Sequence, residues 1–254
     1  MTEKYHMINW VDGMKIRKRH FVDQQHAFNQ RVMGGISTHL SAINYGLLSP
    51  SFQDSTPAFK LDIEIENTHT VHVKIFSCKA ATPGGFIIDI GNGEGNPRHY
   101  SVNVPEAVNP TEKEQRHMIV LSANPFKGEE TGEPDPEEIP PRRPYVQPTY
   151  QLGLLLKKPA GGGGVNNYGS YNVTIGEVIV DSSRIRLNEN YIPPCMAVCS
   201  SPVLMDICSR WHGSLQKLER LCMRINRKIV SRQQEYMLAE MIHQISRDIR
   251  SYLG

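Results

Sequence analysis

From Leu61 the chain alternates: Leu61, Ile63 and Ile65 are apolar between Asp62, Glu64 and Glu66, and Val71, Val73 and Ile75 follow with His72 and Lys74 between them. A period of two sends the apolar set to one face and the charged set to the other, which predicts strands with one solvated side. Further short strands are predicted at 85–90, 99–104, 116–122, 150–157, 171–180 and 184–187, separated by Gly, Pro and Asn punctuation. No amphipathic helix intervenes between them, so the pattern favours an antiparallel β-sandwich over a doubly wound α/β fold. Ahead of the strands, a helix is expected from about residue 21 to 33, ending at Gly34-Gly35.

The period changes after Tyr191-Ile192-Pro193-Pro194. Leu204, Cys208, Trp211, Leu215, Leu218, Cys222, Ile225 and Ile229 recur at alternating intervals of four and three, a heptad seam held over more than three heptads. A second stretch, Tyr236, Leu238, Met241, Ile242, Ile245, Ile249 and Leu253, forms another helix or continues the first, since no Gly or Pro occurs from Ser214 to Tyr252. The division expected is a β domain over 1–190 and a helical neck over 191–254. Such a seam needs partners. It can pack on the sandwich, but the double proline ends the β region abruptly, which favours packing between copies of the chain.

Composition narrows the functional classes. Apolar residues make up 39% and charged residues 21% of 254, so a folded core is expected. Lys and Arg total 28 against 26 Asp and Glu, a net charge of +2, and nothing global suggests nucleic-acid binding. Basic residues do collect on the first neck helix, with Arg210, Lys217, Arg220, Arg224, Arg227, Lys228 and Arg232 against Glu219. Flanking an apolar seam, they can meet nucleic acid, an anionic surface or acidic partner residues, or form the solvated outer face of a bundle; aromatic interleaving suited to base stacking is missing. Five cysteines without paired spacing fit a reducing cytosol, and neither a signal peptide nor a membrane span is expected.

Two loops stand apart. Residues 124–148 hold seven prolines and six acids, a composition read as an extended excursion outside regular pairing, either solvated or ordering on a partner. Gly161 to Gly164 lacks the Lys-Ser/Thr pair and following helix of a phosphate cradle, and is expected to be a hairpin tip.

The chemistry-bearing residues form no recognisable constellation. His69 and His72 point to opposite faces of a strand, and His20 and His26 are six apart on a helix, so neither pair can readily share an ion. Cys208 and Cys222 lie on the apolar seam, where cysteine behaves as a small hydrophobe. Asp62, Glu64 and Glu66 are one solvated strand face. No nucleophile elbow, zinc helix, Walker loop or dinucleotide fingerprint occurs in its required context. The expectation is a protein that is not an enzyme and needs no cofactor or metal. One rival is a ligand- or carbohydrate-binding sandwich of a phage-tail-like particle, with Tyr145, Tyr150, Tyr168 and Tyr171 as candidate contacts.

The N-terminal run Ile8-Asn9-Trp10-Val11-Asp12-Gly13-Met14-Lys15-Ile16-Arg17-Lys18-Arg19-His20-Phe21, followed by Gln24-Gln25, resembles the opening signature of the TssK family, trimeric baseplate proteins of bacterial type VI secretion systems. Trp10, Gly13, Met14, Arg17, His20 and Phe21 match in order and spacing. Tyr45-Gly46-Leu47 and Tyr191-Ile192-Pro193-Pro194-Cys195 fall where that family carries an aromatic-Gly-Leu step and an Ile-Pro-Pro junction. Lys18-Arg19 departs from the Pro-Gln that the family usually shows there, and makes the segment more basic.

The resemblance implies a β-sandwich shoulder similar to phage receptor-binding proteins, a helical neck joining three chains, and docking of the shoulder on a wedge of TssF and TssG. It further implies a cytoplasmic location on the inner face of the inner membrane. Trp10, Met14, Arg17, His20 and Phe21 are the wedge-contact candidates, and Trp10 and Phe21 can equally fix the N-terminal segment to the sandwich. Leu204 to Ile229 is the expected trimer seam. Family members continue into a C-terminal head that contacts the membrane complex, whereas this sequence stops at Gly254, so that contact is expected only of a longer form.

Overall fold

The strand Thr70–Ala81 organises the first sheet of the computed structural model, which describes residues 4–41, 43–50, 57–66, 70–91, 97–104, 114–157, 168–181, 184–232 and 236–253. In chain order the strands are β1 Gly46–Leu47, β2 Phe59–Ile65, β3 Thr70–Ala81, β4 Ile87–Ile90, β5 Arg98–Asn103, β6 Glu114–Thr131, β7 Tyr145–Leu156, β8 Asn172–Asp181 and β9 Arg184–Leu187. Helix α1 spans Lys18–Ser37, α2 Pro202–Arg232 and α3 Tyr236–Leu253. Two compact units divide the chain, Met1–Ser200 and Ser201–Gly254.

β3 pairs antiparallel with β2 over Val71 to Cys78 and with β1 at Ala80 and Ala81; it also pairs with β5 over Thr70 to Ile75 and with β4 over Cys78 to Ala81. The alternation read from the sequence is realised in it: Val71, Val73 and Ile75 are buried while His72 and Lys74 lie on the wetter face. Lys74 reaches Glu64 at 2.8 Å across that face. The second sheet runs β7-β6-β8-β9, all antiparallel. One buried cluster joins Val71, Val73, Ile75 and Ile88 of the first sheet to Ile119, Leu121, Val173 and Val178 of the second. Burying such a side chain contributes about 1.5–3 kcal/mol, so the shared cluster is what holds the sheets together.

Every predicted strand occurs, but two expectations change. α1 begins three residues earlier than predicted and continues through Gly34 and Gly35 to Ser37. The glycines do not stop it because Ser37 Oγ and Thr38 Oγ1 donate back to the carbonyls of Gly34 and Gly35 at 2.8 and 2.7 Å. Its last turn also lies directly against the turn at Gly85 (φ +80°), where a side chain on residue 85 would overlap the Met33 carbonyl.

The excursion expected over 124–148 is largely a hairpin. β6 and β7 stay paired from Gly128↔Pro148 to Thr131↔Tyr145, beyond a register break between Asn124 and Gly128 that absorbs Pro125. Arg98 of β5 donates to Glu129 at 3.1 Å and to Gln147 at 2.9 Å, so an acid that would oppose pairing is neutralised. At the tip, Asp135 N–H donates to the Arg142 carbonyl at 3.0 Å, and Arg142 also pairs with Glu138. The Gly161 to Gly164 segment and His69 lie outside the described residues.

Candidate functional site

Three stretches singled out in the sequence acquire defined places. Residues 4–16 run back along α1 as a strap. Tyr5 N–H donates to Gln30 Oε1 at 3.0 Å and Ile8 N–H to Gln24 Oε1 at 2.9 Å, while Trp10 meets His20 and Phe21 with ring centroids 6.3 and 6.2 Å apart. The order of these contacts, early strap residues against late helix residues, makes strap and helix antiparallel. At the far end Tyr5 and His26 pack against Phe126, which in turn meets Tyr171 of the loop before β8. Phe126 lies in the β6 register break, so the break directs an aromatic ring towards the strap and α1.

The wedge candidates divide by exposure. Trp10 and Phe21 are 47% and 60% exposed and touch each other; Arg17 is exposed and Met14 half-buried. His20 is buried beneath Trp10, and its Nδ1 accepts the Arg17 N–H at 3.4 Å, closing the first turn of α1. Phe28 and Val32 on α1 are also exposed, and the sequence reading passed over them. Their spacing from Phe21, seven and eleven residues, was the available signal.

Tyr45-Gly46-Leu47 and Tyr191-Ile192-Pro193-Pro194-Cys195 are brought together although far apart in sequence. Leu47 N–H donates to the Pro194 carbonyl at 2.7 Å, Met196 N–H donates to the Leu47 carbonyl at 2.9 Å, and Leu47 bridges Cys195 in parallel. Gly46 adopts φ +109°, and a Cβ there would overlap the Pro194 carbonyl oxygen. Tyr191 Oη donates to Thr174 Oγ1 at 2.7 Å, and burial pushes the phenol far above its ordinary range. Burial likewise raises the Cys195 thiol, whose Sγ lies 3.2 Å from the Pro193 carbonyl, so it is held as a thiol rather than a reactive thiolate. These motif residues form a clasp that returns the chain from the second sheet to the first.

Beside the clasp, Glu177 is buried to 1% exposure and bound by Lys157 Nζ at 2.7 Å, by Asn188 Nδ2 and, at 3.8 Å, by Arg116. Burial alone raises its pKa, but Lys157, Asn188 and Arg116 outweigh it and hold the carboxyl below the usual range. The group is thus a fixed anion with every oxygen engaged, unsuited to moving protons. Among the described residues no three His, Cys, Asp or Glu side chains gather as a metal site. Of the four candidate tyrosines only Tyr145 is exposed; Tyr150 packs on the core beneath Arg98, whose guanidinium carbon lies 5.2 Å from its ring centroid.

In the helical unit, α2 and α3 form an antiparallel pair in which Arg250 meets both Glu219 and Met223. The seam divides accordingly. Leu204, Leu215, Cys222 and Ile229 are half-buried, whereas Cys208, Trp211, Leu218 and Ile225 are exposed. Leu221 on α2 and Met241, Ile245 and Tyr252 on α3 are exposed as well. Among the described residues no helix is long and apolar enough to cross a membrane.

The described residues thus form a β-rich unit with an aromatic strap, followed in sequence by a helical pair with apolar side chains left exposed. The chain has the fold of TssK. A crystal structure of TssK matches over 99% of this chain and 57% of its own length, with TM-score 0.54 and 14% identity. The TssK-TssF-TssG baseplate subcomplex of the type VI secretion system, solved by cryo-electron microscopy, matches over 99% of this chain and 80% of that one, with TM-score 0.52 and 14% identity. TssK from the type VI secretion system of EAEC, bound to a nanobody, matches over 91% and 75%, with TM-score 0.52 and 16% identity. This chain therefore spans little more than half the length of the first of them. No protein-family model and no curated protein sequence matches it.

Proposed function

We propose that this chain is the shoulder and neck of a TssK-type subunit, a non-enzymatic structural adaptor of a type VI secretion baseplate in the bacterial cytoplasm. The observation that carries the reading is a fold likeness running through both the β-rich and the helical unit, over 99% of the chain. In this reading the two sheets form a β-sandwich shoulder over 1–190, and residues 191–254 form a neck through which three copies associate. The seam from Leu204 to Ile229 supplies the trimer contacts, joined by Leu221, Met241, Ile245 and Tyr252, whose exposure in a single chain supports burial against other copies.

The shoulder docks on a wedge of TssF and TssG. Trp10, Met14, Arg17 and Phe21 make the contact, and His20, buried beneath Trp10, holds the patch in place. Three shoulders on one neck then bind with an avidity that a single patch lacks. Contact with the membrane complex is proposed only for a form that carries the C-terminal head.

Two measurements test this. Light scattering is expected to return the mass of a trimer, and a strictly monomeric chain at high concentration would refute the neck assignment. Co-purification with TssF and TssG from the same bacterium is expected to be lost in the combined Trp10→Ala, Met14→Ala and Phe21→Ala variant. Unchanged recovery of the wedge by that variant, in folded form, would sink the contact assignment.

A further inference from the structure

The outward side of α1 carries a continuous apolar stripe bordered by exposed cations. At 100° per residue, Phe21, Phe28 and Val32 fall within about 40° of one another, whereas the buried residues His20, Ala27 and Met33 lie on the far side. The three are 60%, 59% and 49% exposed, and Trp10 extends the stripe by leaning on Phe21. The eleven steps of helix from Phe21 to Val32 make the stripe about 16 Å long, roughly three turns. Arg17 and Lys18 border one end and Arg31 the other; all three are exposed, and none forms an ion pair with another described residue. The only acid of α1, Asp23, projects away from the stripe.

We infer that this stripe is a docking face for an acidic, amphipathic protein segment, one that places apolar side chains on Phe21, Phe28 and Val32 and carboxylates against Arg17, Lys18 and Arg31. Apolar anchors at this spacing suit a partner that presents a ridge over about three turns. The cations at both ends select the sign of the partner's charge and speed its capture, which makes binding salt-dependent. Lys18, together with Arg17 and Arg31, gives the stripe its charge preference. The inference rests on the baseplate reading for the identity of the partner, since the segment would belong to the wedge, but its chemistry follows from α1 alone.

Two probes separate the inference from that reading. The first is a synthetic helical peptide with leucines at three- and four-residue spacing flanked by glutamates, compared with its lysine-flanked twin. Binding is followed by Trp10 fluorescence in a Trp211→Phe background. The acidic peptide is expected to bind, to weaken as salt rises, and to lose at least about tenfold in affinity to Phe28→Glu/Val32→Glu. Lys18→Glu/Arg31→Glu is expected to reverse the preference towards the lysine-flanked twin. Equal binding of the two peptides, or no binding of either, overturns the inference.

The second probe is the TssF-TssG complex. If Phe28→Glu/Val32→Glu still captures it, the baseplate reading stands and the stripe is not the face on which the wedge docks. If the acidic peptide binds and the wedge does not, the docking face stands and the baseplate reading falls. Stripe-dependent binding to anionic phospholipid vesicles, with neither peptide bound, would make α1 a membrane contact and overturn the inference.

Discussion

Gly46→Ala tests the clasp between the two sheets, because the same residue combines a disfavoured dihedral with a close backbone approach. At φ +109° an L side chain costs about 1–3 kcal/mol before any neighbour is considered. The new Cβ also overlaps the Pro194 carbonyl oxygen and comes within 2.9 Å of the Pro194 Cβ, so residue 46 and the Pro193-Pro194 turn must separate. Separation breaks the bonds from Leu47 N–H to Pro194 and from Met196 N–H to Leu47, each contributing about 0.5–1.5 kcal/mol. The sum is a loss of about 2–6 kcal/mol, a large fraction of the 5–15 kcal/mol typical of a domain. Urea unfolding followed by far-UV circular dichroism measures it. Gly34→Ala is the control: its Cβ meets nothing within 4 Å inside α1, and the change is expected to stabilise by about 0.5–1 kcal/mol. If Gly46→Ala unfolds within about 0.5 kcal/mol of the parent, the clasp is not held by backbone contact and the reasoning fails.

Three further outcomes follow from buried or half-buried groups. His117 is buried with Nδ1 unpartnered and its pKa lowered by burial. The unfolded chain therefore takes up a proton first as pH falls through the ordinary histidine range, and stability drops there; His117→Leu is expected to gain about 1–3 kcal/mol and to flatten the decline in urea midpoint towards about pH 5.5. Lys157→Met leaves the Glu177 carboxylate buried with Asn188 and a distant Arg116, at a cost of about 3 kcal/mol near neutral pH. Because the folded pKa of Glu177 is depressed, its stabilisation is present above the unfolded carboxylate pKa and is lost as pH falls through the folded one, so the gap between parent and variant should close in acid; a pH-independent gap would refute the assignment. Phe126→Ala removes the ring shared by Tyr5, His26 and Tyr171 and is expected to cost about 2 kcal/mol, with α1 amides exchanging faster while those of β3 do not change.

The elements most legible in the sequence were those whose stability is decided by neighbours on the same strand or helix. Alternation at Leu61 to Glu66 and Val71 to Ile75 suffices for β2 and β3, because the shared core rewards one face only. The hairpin beyond Asn124 was not legible: its prolines and acids argue against pairing, and the Arg98 side chain that neutralises Glu129 comes from another strand. The continuation of α1 past Gly34-Gly35 depends on two back-bonding hydroxyls and on the turn at Gly85, again beyond any local pattern. Trp10 and Phe21 were identifiable as a pair, but the outward stripe through Phe28 and Val32 needed the buried face of α1 to be located first.

The seam of α2 illustrates why a heptad pattern alone leaves the partner open. Its eight positions span about 100° of helix surface, more than one neighbouring helix covers. α3 occupies the edge marked by Glu219 and Met223, both in contact with Arg250, and on that side Leu215, Cys222 and Ile229 are half-buried. Leu218, Leu221 and Ile225 lie round the opposite edge. On α3, buried Ser246 and Ile249 are flanked by exposed Met241, Ile245 and Tyr252 on the side away from Arg250. With the helices antiparallel, the sides away from Arg250 and Glu219 coincide, so six exposed apolar residues from two helices share one face of the pair. A strict two-helix seam would have left α2 alone to carry the interface. If copies of the chain associate, the wider face requires α3 to contribute, and Met241→Glu/Ile245→Glu should dissociate the assembly as effectively as Leu218→Glu/Ile225→Glu in light scattering. Dissociation by the α2 pair alone would restore the single seam and exclude α3 from the contact.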